Sequence, residues 1–330
     1  MSNNHKRFLV TLSVILLAVA VVAVFVGRYP DPYGMMPSLL FTDPLAQRLV
    51  LNLRLPRLLV ALLLGMTLAA SGLAMQMIFR NPLVEPGFLG VSQGAAFGAA
   101  VSILWIGRHP FLIELTATIF GLVGLALTYL LATRLRFGGW ILRLILAGIA
   151  VSALFSAGVG ILKYLADPLT QLPEITFWLL GGLWSVRWSD FFYVAPFVVF
   201  GLSVAFFMRW RLNLLSLDNA TAFSLGAAIR GERWILLVAL VTATAAITSL
   251  SGIIGWVGLI VPHIARRIFG ASAHHSLPAA MLLGGIFTLI CDTLARTLLP
   301  GEIPLGILAS LLGAALFVYL MVNTRIKVRA

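Results

Sequence analysis

Long apolar runs recur along the whole chain, and they constrain its fold more than any other feature of the sequence. A helix needs roughly 17–25 apolar residues to cross the bilayer core, which is about 30 Å thick. Hydrophobic residues make up 61% of the 330 residues and charged residues 10%, so the chain has too few polar groups to cover the surface of a water-soluble protein. The sequence therefore predicts an all-α integral membrane protein.

We predict about ten membrane-spanning helices within a single domain that covers residues 1–330. Their approximate bounds are 8–27, 58–79, 89–106, 112–133, 144–162, 191–208, 234–251, 253–269, 277–295 and 303–323. The first run is too long for the apolar part of a signal peptide, which indicates an uncleaved first helix. Three glycines loosen the start of the eighth run and make it the weakest of the ten.

The distribution of Lys and Arg predicts the orientation of the chain. With the N-terminus in the cytoplasm, 15 of the 23 cations lie in inside segments, as the positive-inside rule requires. They include Arg325, Lys327 and Arg329 near the C-terminus. An even number of spans then places both termini in the cytoplasm. The net charge of +12 is spread over short loops, which disfavours a nucleic-acid-binding face.

Two segments are too polar or too short to span the membrane. Residues 171–188, on the outside, are rich in Trp and favour a short helix at the membrane interface. Residues 212–233 form the longest inside segment and favour two short helices around a turn, with an apolar face to bury.

The motifs of several enzyme classes are absent from the sequence. The chain has three lysines and none completes a GxxxxGK[ST] phosphate loop, so it does not hydrolyse ATP by that route. HExxH and CxxC metal motifs are also absent, and we expect no metal site. Two acids, Glu114 and Asp292, fall in or near apolar runs. We favour a structural role for both, since Asp292 lies four residues before Arg296 on one helix face.

Small residues recur at helical spacing in the third and fifth predicted spans. Pro82 and Pro86 predict a stiff turn over residues 81–87, because neither can continue a helix. The third span then carries a double GxxxG pattern, and the fifth carries a similar stripe of small residues, both typical of close helix packing. The positions are Gly90, Gly94, Gly98, Ser152, Ser156 and Gly160.

Several separated motifs resemble one protein family. They are LRLPRLLVALLLGMTLAASGLAMQ (53–76), RNPLVEPGFLGVSQGAAFG (80–98), LNLLSLDNATAFSLG (212–226), GWVGLIVPHIARR (255–267), ICDTLAR (290–296) and EIPLGILASLLGA (302–314). The chain is similar to the membrane permeases of ABC importers for iron chelates (siderophores and heme) and vitamin B12. The resemblance runs in order from Leu51 to Met321, and its finer likeness is to bacterial heme permeases.

The resemblance implies a fold, a function and a set of partners. It implies the type II importer fold, with a homodimer around a central pathway in the bacterial inner membrane. Two copies of a cytoplasmic ABC ATPase would use ATP and Mg, and a periplasmic binding protein would deliver the cargo. The chain itself would be no enzyme and would bind no cofactor.

The resemblance also assigns roles to individual residues. It places binding-protein docking at Arg54, Arg57 and Arg296, where arginine–carboxylate pairs would give oriented, reversible contact. The alternative is that Arg54 and Arg57 only snorkel at a helix end. Residues 212–233 correspond to the coupling helices that seat in the ATPase. Their expected contact residues are Leu215, Leu217, Asp218, Ala222, Leu225 and Gly226.

The family's pathway is lined mainly by the fifth and tenth spans, with a cytoplasmic gate just before the fifth. In this chain the gate region contains Gly138, Gly139, Ile141 and Leu142. An apolar gate suits an amphipathic, aromatic cargo, so heme is the first expectation, and ferric siderophore or cobalamin the alternative.

Two other classes of function remain open from the residues alone. A secondary transporter that works without an ATPase would need intramembrane ionisable groups, for which Glu114 and Asp292 are the candidates. An intramembrane enzyme would need a catalytic set inside the bilayer. Both alternatives predict activity from this chain alone.

Overall fold

The protein is a bundle of α-helices, seen here in a computed structural model that describes residues 3–30 and 33–322. No strand occurs within those two ranges. The helices are α1 Asn3–Phe25, α2 Leu39–Thr42, α3 Pro44–Leu49, α4 Leu55–Ile78, α5 Val91–Val101, α6 Pro110–Arg134, α7 Trp140–Leu165, α8 Gln171–Leu180, α9 Trp188–Phe207, α10 Arg209–Leu215, α11 Asn219–Ser224, α12 Ile229–Ser251, α13 Val257–Phe269, α14 Ala273–Thr297 and α15 Leu305–Val322. Short π- or 3₁₀-helical turns occupy Val50–Arg54, Pro86–Leu89 and Ser102–Ile106.

Each of the ten predicted spans corresponds to a helix, which confirms the predicted fold class. Eight helical stretches of the described chain are long and apolar enough to cross a membrane: His5–Phe25, Pro44–Ile78, Pro110–Arg134, Trp140–Leu165, Trp188–Phe207, Ile229–Ser251, Ala273–Thr297 and Leu305–Val322. The third and eighth predicted spans are the shorter helices α5 and α13. Residue 323 and the cations Arg325, Lys327 and Arg329 lie outside the described residues.

Helix α4 forms the centre of the bundle and is buried along most of its length. It packs against α14, α13, α12 and α9. Glycines allow the closest of these contacts: a Cβ added to Gly65 would collide with the carbonyl oxygen of Gly284, and one added to Gly72 with that of Gly258. The helix axes can approach closely only where no side chain stands between the backbones.

The short helices α5 and α13 begin inside the bundle rather than at its surface. Gly90, in the left-handed conformation with φ +79°, precedes α5, and Trp256, with φ +71° and ψ −34°, precedes α13. The carbonyl oxygen of Phe88 lies against Gly148, about two turns into α7. Irregular backbone at such depth is tolerated when protein surrounds it. The turn at residues 81–87 therefore leads into the bundle, and α5 begins inside it.

The glycines of α5 pack directly on α6. A Cβ at Gly94 would collide with the carbonyl oxygen of Phe120, and one at Gly98 with that of Thr116. In α7, by contrast, no atom beyond the neighbouring residues and backbone of the helix itself lies within 4 Å of a Cβ added to Gly160. Close helix packing within the chain therefore involves the α5 stripe and does not reach Gly160.

This difference gives a matched pair of variants. Ala favours a helix over Gly by about 1 kcal/mol, whereas overpacking a tight contact costs about 1–3 kcal/mol. Gly94→Ala should therefore lower the melting temperature of the protein in lipid discs, because the added methyl group meets Phe120. Gly160→Ala should leave it unchanged or raise it. Equal melting temperatures for the two variants would contradict the packing described here.

Candidate docking, pathway and coupling sites

A fully buried carboxylate organises the ends of α4 and α14 that the Lys and Arg distribution predicts to lie outside, called the outer ends below. Asp292 of α14 is 0% exposed, and its Oδ1 accepts a hydrogen bond of 2.8 Å from Nε of Arg57 in α4. The same guanidinium donates from NH1 to Glu302, 2.8 Å from Oε2. An isolated charge at this depth would be costly. Asp292 and Arg57 each reduce the free-energy cost of burying the other's charge.

Two further arginines complete the cluster. Nε of Arg296 lies 3.1 Å from Asp292 Oδ2 as an ion pair, the local pairing that their spacing allowed. NH2 of Arg296 also donates to the carbonyl oxygen of Ala23, at 3.1 Å, and NH1 of Arg54 donates to that of Val24, at 2.8 Å. The last turn of α1 is thereby tied to the outer ends of α4 and α14.

The three predicted docking arginines line one cavity of about 260 Å³. Arg28, which is exposed, and Glu302 line it as well. Four arginines against one glutamate make this cavity attractive to carboxylates. Arg57 and Arg296 are nevertheless already ion-paired inside the chain, so Arg28 is the most accessible cation of the group. The docking role itself stays a prediction.

Sequence reasoning missed Glu302 as a member of this cluster. The available signal was its position, six residues beyond Arg296 in the short loop that leads to α15. An acid next to an outer cluster of like-charged arginines is expected to pair with one of them. The contacts from the α1 carbonyl groups carried no sequence signal, because every residue has a carbonyl group.

One face of α7 is open and lined with small residues. Ala150, Ala153, Ala157 and Gly160 follow at helical spacing, and all four are exposed, as is Ser156. Ser156 and Gly160 thus contribute no helix packing inside the chain, and their role in packing between copies or in a pathway stays a prediction. Ser152 differs, since its hydroxyl oxygen is buried without a hydrogen-bond partner among the described residues.

Ser152 lines a cavity of about 220 Å³ that also contains polar side chains of other segments. Glu85, Ser92, Gln93 and Thr248 line it too. Residues 90–94 match the GxSxG pattern of hydrolases, whose Ser is activated by a His. No histidine lines this cavity among the described residues, so Ser92 lacks the partner that a nucleophile needs.

The predicted gate region forms the turn that enters α7. Gly138 has φ +66° and is exposed, and Gly139 caps the helix that begins at Trp140. Leu142 is exposed and Ile141 is half-buried. The region is apolar on its accessible side, and its role as a gate stays a prediction.

The inside segment folds as the two short helices α10 and α11. Asp218 caps α11 by accepting a hydrogen bond of 3.0 Å from the backbone N–H of Thr221. A hydrogen bond from the Thr221 side chain, together with this backbone bond, lowers the pKa of Asp218. The cap is therefore formed at neutral pH and is lost as the pH falls through that lowered pKa.

An ion pair and several hydrogen bonds hold the segment against α12. Arg211 forms an ion pair with Glu232, and its NH2 also donates to the carbonyl oxygen of Gly226, at 2.9 Å. Arg233 donates to Asn219 Oδ1, at 2.9 Å. The segment therefore has a fixed orientation on the bundle.

Only part of the predicted coupling surface is accessible. Leu215 and Ala222 are both 0% exposed. They cannot contact a partner, and this corrects the prediction: they are the apolar face by which the segment packs on the bundle. Leu217, Asp218, Leu225 and Gly226 are exposed. Sequence reasoning missed Phe223, which is 76% exposed and is the large apolar side chain of α11.

Comparison with known proteins places the chain in a family. The model of the FecCD transport family matches residues 15–323. The molybdate import system permease protein MolB of Haemophilus influenzae is 38% identical over 323 residues, covering 96% of this chain and 95% of that protein. The hemin transport system permease protein HmuU of Yersinia pestis is 39% identical over 279 residues, covering 83% of each.

A solved structure shares the fold. It is described as a metal-chelate type ABC transporter in an inward-facing conformation, and it matches with a TM-score of 0.89 at 38% identity over 96% of this chain and 99% of that one. These matches confirm the family indicated by the sequence motifs, and membership implies a partner ATPase and a binding protein. The chain therefore belongs to the FecCD transport family, as a multi-pass membrane permease of the ABC importer type, a translocating subunit and not an enzyme.

Proposed function

We propose that two copies of this chain form the permease of an ATP-driven importer in a bacterial inner membrane, with both termini in the cytoplasm. The observation that carries the homodimer is the open face of α7, where Ala150, Ala153, Ala157 and Gly160 stand exposed. Small residues on an unpartnered membrane helix allow a second helix to approach closely. The two α7 faces, together with α15, would then line a central pathway.

Transport in this proposal is alternating access. ATP binding and hydrolysis close and open two ATPase copies, and their motion reaches the permease through the exposed residues of α11 and its flanking turns. The two permease copies then re-orient around the pathway. Gly138, Gly139, Ile141 and Leu142 would form the cytoplasmic gate, at the entry to α7.

For the cargo we propose a metal chelate, with heme as the first candidate. The apolar gate region and the apolar face of α7 suit an amphipathic, aromatic molecule. The hemin permease of Yersinia pestis is one of the relatives. Ferric siderophore and cobalamin remain alternatives, and the similarity to MolB favours molybdate as a further candidate.

The cargo is tested with the chain in lipid discs together with its ATPase and binding protein. ATP hydrolysis is measured with the binding protein loaded with heme, ferric siderophore, cobalamin or molybdate. Stimulation by the heme-loaded protein alone is expected. If another load stimulates hydrolysis instead, that compound and not heme is the cargo. Uptake of any load without an ATPase would contradict the importer and favour a secondary transporter.

The coupling surface is tested with a double variant of its exposed residues. Phe223→Ser with Leu225→Ser removes apolar contact area without disturbing the core, since both side chains face away from the bundle. Binding-protein-stimulated ATP hydrolysis and uptake should fall at least tenfold, while the melting temperature of the isolated permease stays the same. Ser224→Ala, on the same helix, is the control. Normal uptake in the double variant would contradict the coupling role.

The docking surface is tested through the arginines of the 260 Å³ cavity. Arg28→Gln with Arg54→Gln should weaken the affinity for the binding protein about tenfold. The affinity of the variant should also depend less on salt concentration, because its electrostatic attraction to the binding protein is reduced. Arg108→Gln, an outer arginine that does not line this cavity, is the matched control. Equal affinities for the double variant and the wild type would exclude docking at this cavity.

A further inference from the structure

Glu114 is a buried carboxylate for which the proposed transport cycle has no use. It lies in the second turn of α6 and is 4% exposed. Among the described residues no cation pairs with it and no hydrogen bond to its carboxylate is present. The charge that acts on it is a second acid, Asp190 of α9. A desolvated carboxylate needs either a proton or a cation supplied from elsewhere.

Glu114 lines the outer cavity, which we define as the space of about 500 Å³ between α6, α8, the end of α12 and the loop before α15. Its volume lies in the range of small-molecule sites, about 300–1,000 Å³. Phe177, Trp178 and Trp184 supply aromatic walls. Aromatic faces attract cations, and the attraction grows when the cation loses water.

The charges around the outer cavity favour a positive ligand. Three glutamates and one arginine line it. Glu174 lies 3.6 Å from Arg108, and Glu302 is held by Arg57. Glu114 is the carboxylate left without a protein cation, so it is the one available to a ligand.

The chemistry of the lining residues points to an organic cation rather than a metal ion. Within the described residues no group of three or more His, Cys, Asp or Glu side chains could hold a metal. Aromatic walls beside a single available carboxylate are the usual arrangement for ammonium ligands with an apolar body. The open face of α7 contributes no residue to the outer cavity.

We propose that the outer cavity binds an organic cation, with its positive charge against Glu114 and its apolar or aromatic body against Phe177, Trp178 and Trp184. The ligand supplies the positive charge that no described side chain provides to Glu114. This site does not depend on which cargo the permease carries.

The test measures equilibrium binding of labelled benzyltrimethylammonium to the full chain in lipid discs. Saturable binding is expected, and benzyl alcohol, which is uncharged, should not compete. Glu114→Gln should weaken binding at least tenfold, because it removes the charge and keeps the shape. Asp167→Asn, which removes one exposed outer acid that does not line the cavity, should change the affinity less than twofold.

A second variant separates binding from folding. Trp178→Leu removes an aromatic wall and leaves Glu114 in place, and it should also weaken binding. The proposal is wrong if Glu114→Gln binds the probe as tightly as the wild type, if benzyl alcohol competes equally, or if no saturable binding occurs. The last result would mean that Glu114 carries a proton and no ligand.

Discussion

The buried carboxylate of Asp292 is the interaction on which the outer half of the molecule depends. It serves as counter-ion to Arg57 and Arg296, and Arg57 in turn holds Glu302. Removing one partner of a buried ion pair typically costs about 3–5 kcal/mol, because the remaining charge is left desolvated. Through this cluster α4, α14, the loop before α15 and the end of α1 become one rigid unit.

The two ends of the bundle have different chemistry, and each suits a different partner. The outer end gathers arginines around a cavity, which suits contact with carboxylates that is specific and reversible. The inner end presents Phe223 and Leu225 on a segment fixed by Arg211 and Arg233, which suits apolar contact. Between them, α7 carries its open face of small residues. In the importer proposed above, these three surfaces would serve as the docking face, the coupling surface and the pathway wall.

Apolar run length predicted the helices, since crossing a bilayer requires a fixed number of residues. The same argument overestimated the lengths of α5 and α13. These helices begin only after the irregular residues Gly90 and Trp256, which surrounding protein can shield from lipid. The i,i+4 spacing predicted the Asp292–Arg296 pair, but the partnership of Arg57 with Asp292 joins residues 235 positions apart. The burial of Leu215 and Ala222 likewise depends on tertiary packing, which a local pattern of apolar residues does not reveal.

The measurement that tests this account most directly is the thermal stability of Asp292 variants in lipid discs. Asp292→Asn should lower the melting temperature sharply, because two guanidinium groups lose their shared counter-ion. A triple variant that adds Arg57→Met and Arg296→Met should recover most of the loss, since the charges left in the cluster are the partly exposed Glu302 and Arg54, which keeps its bond to the Val24 carbonyl group. A single variant that melts like the wild type, or a triple variant no more stable than the single one, would contradict the central role of Asp292.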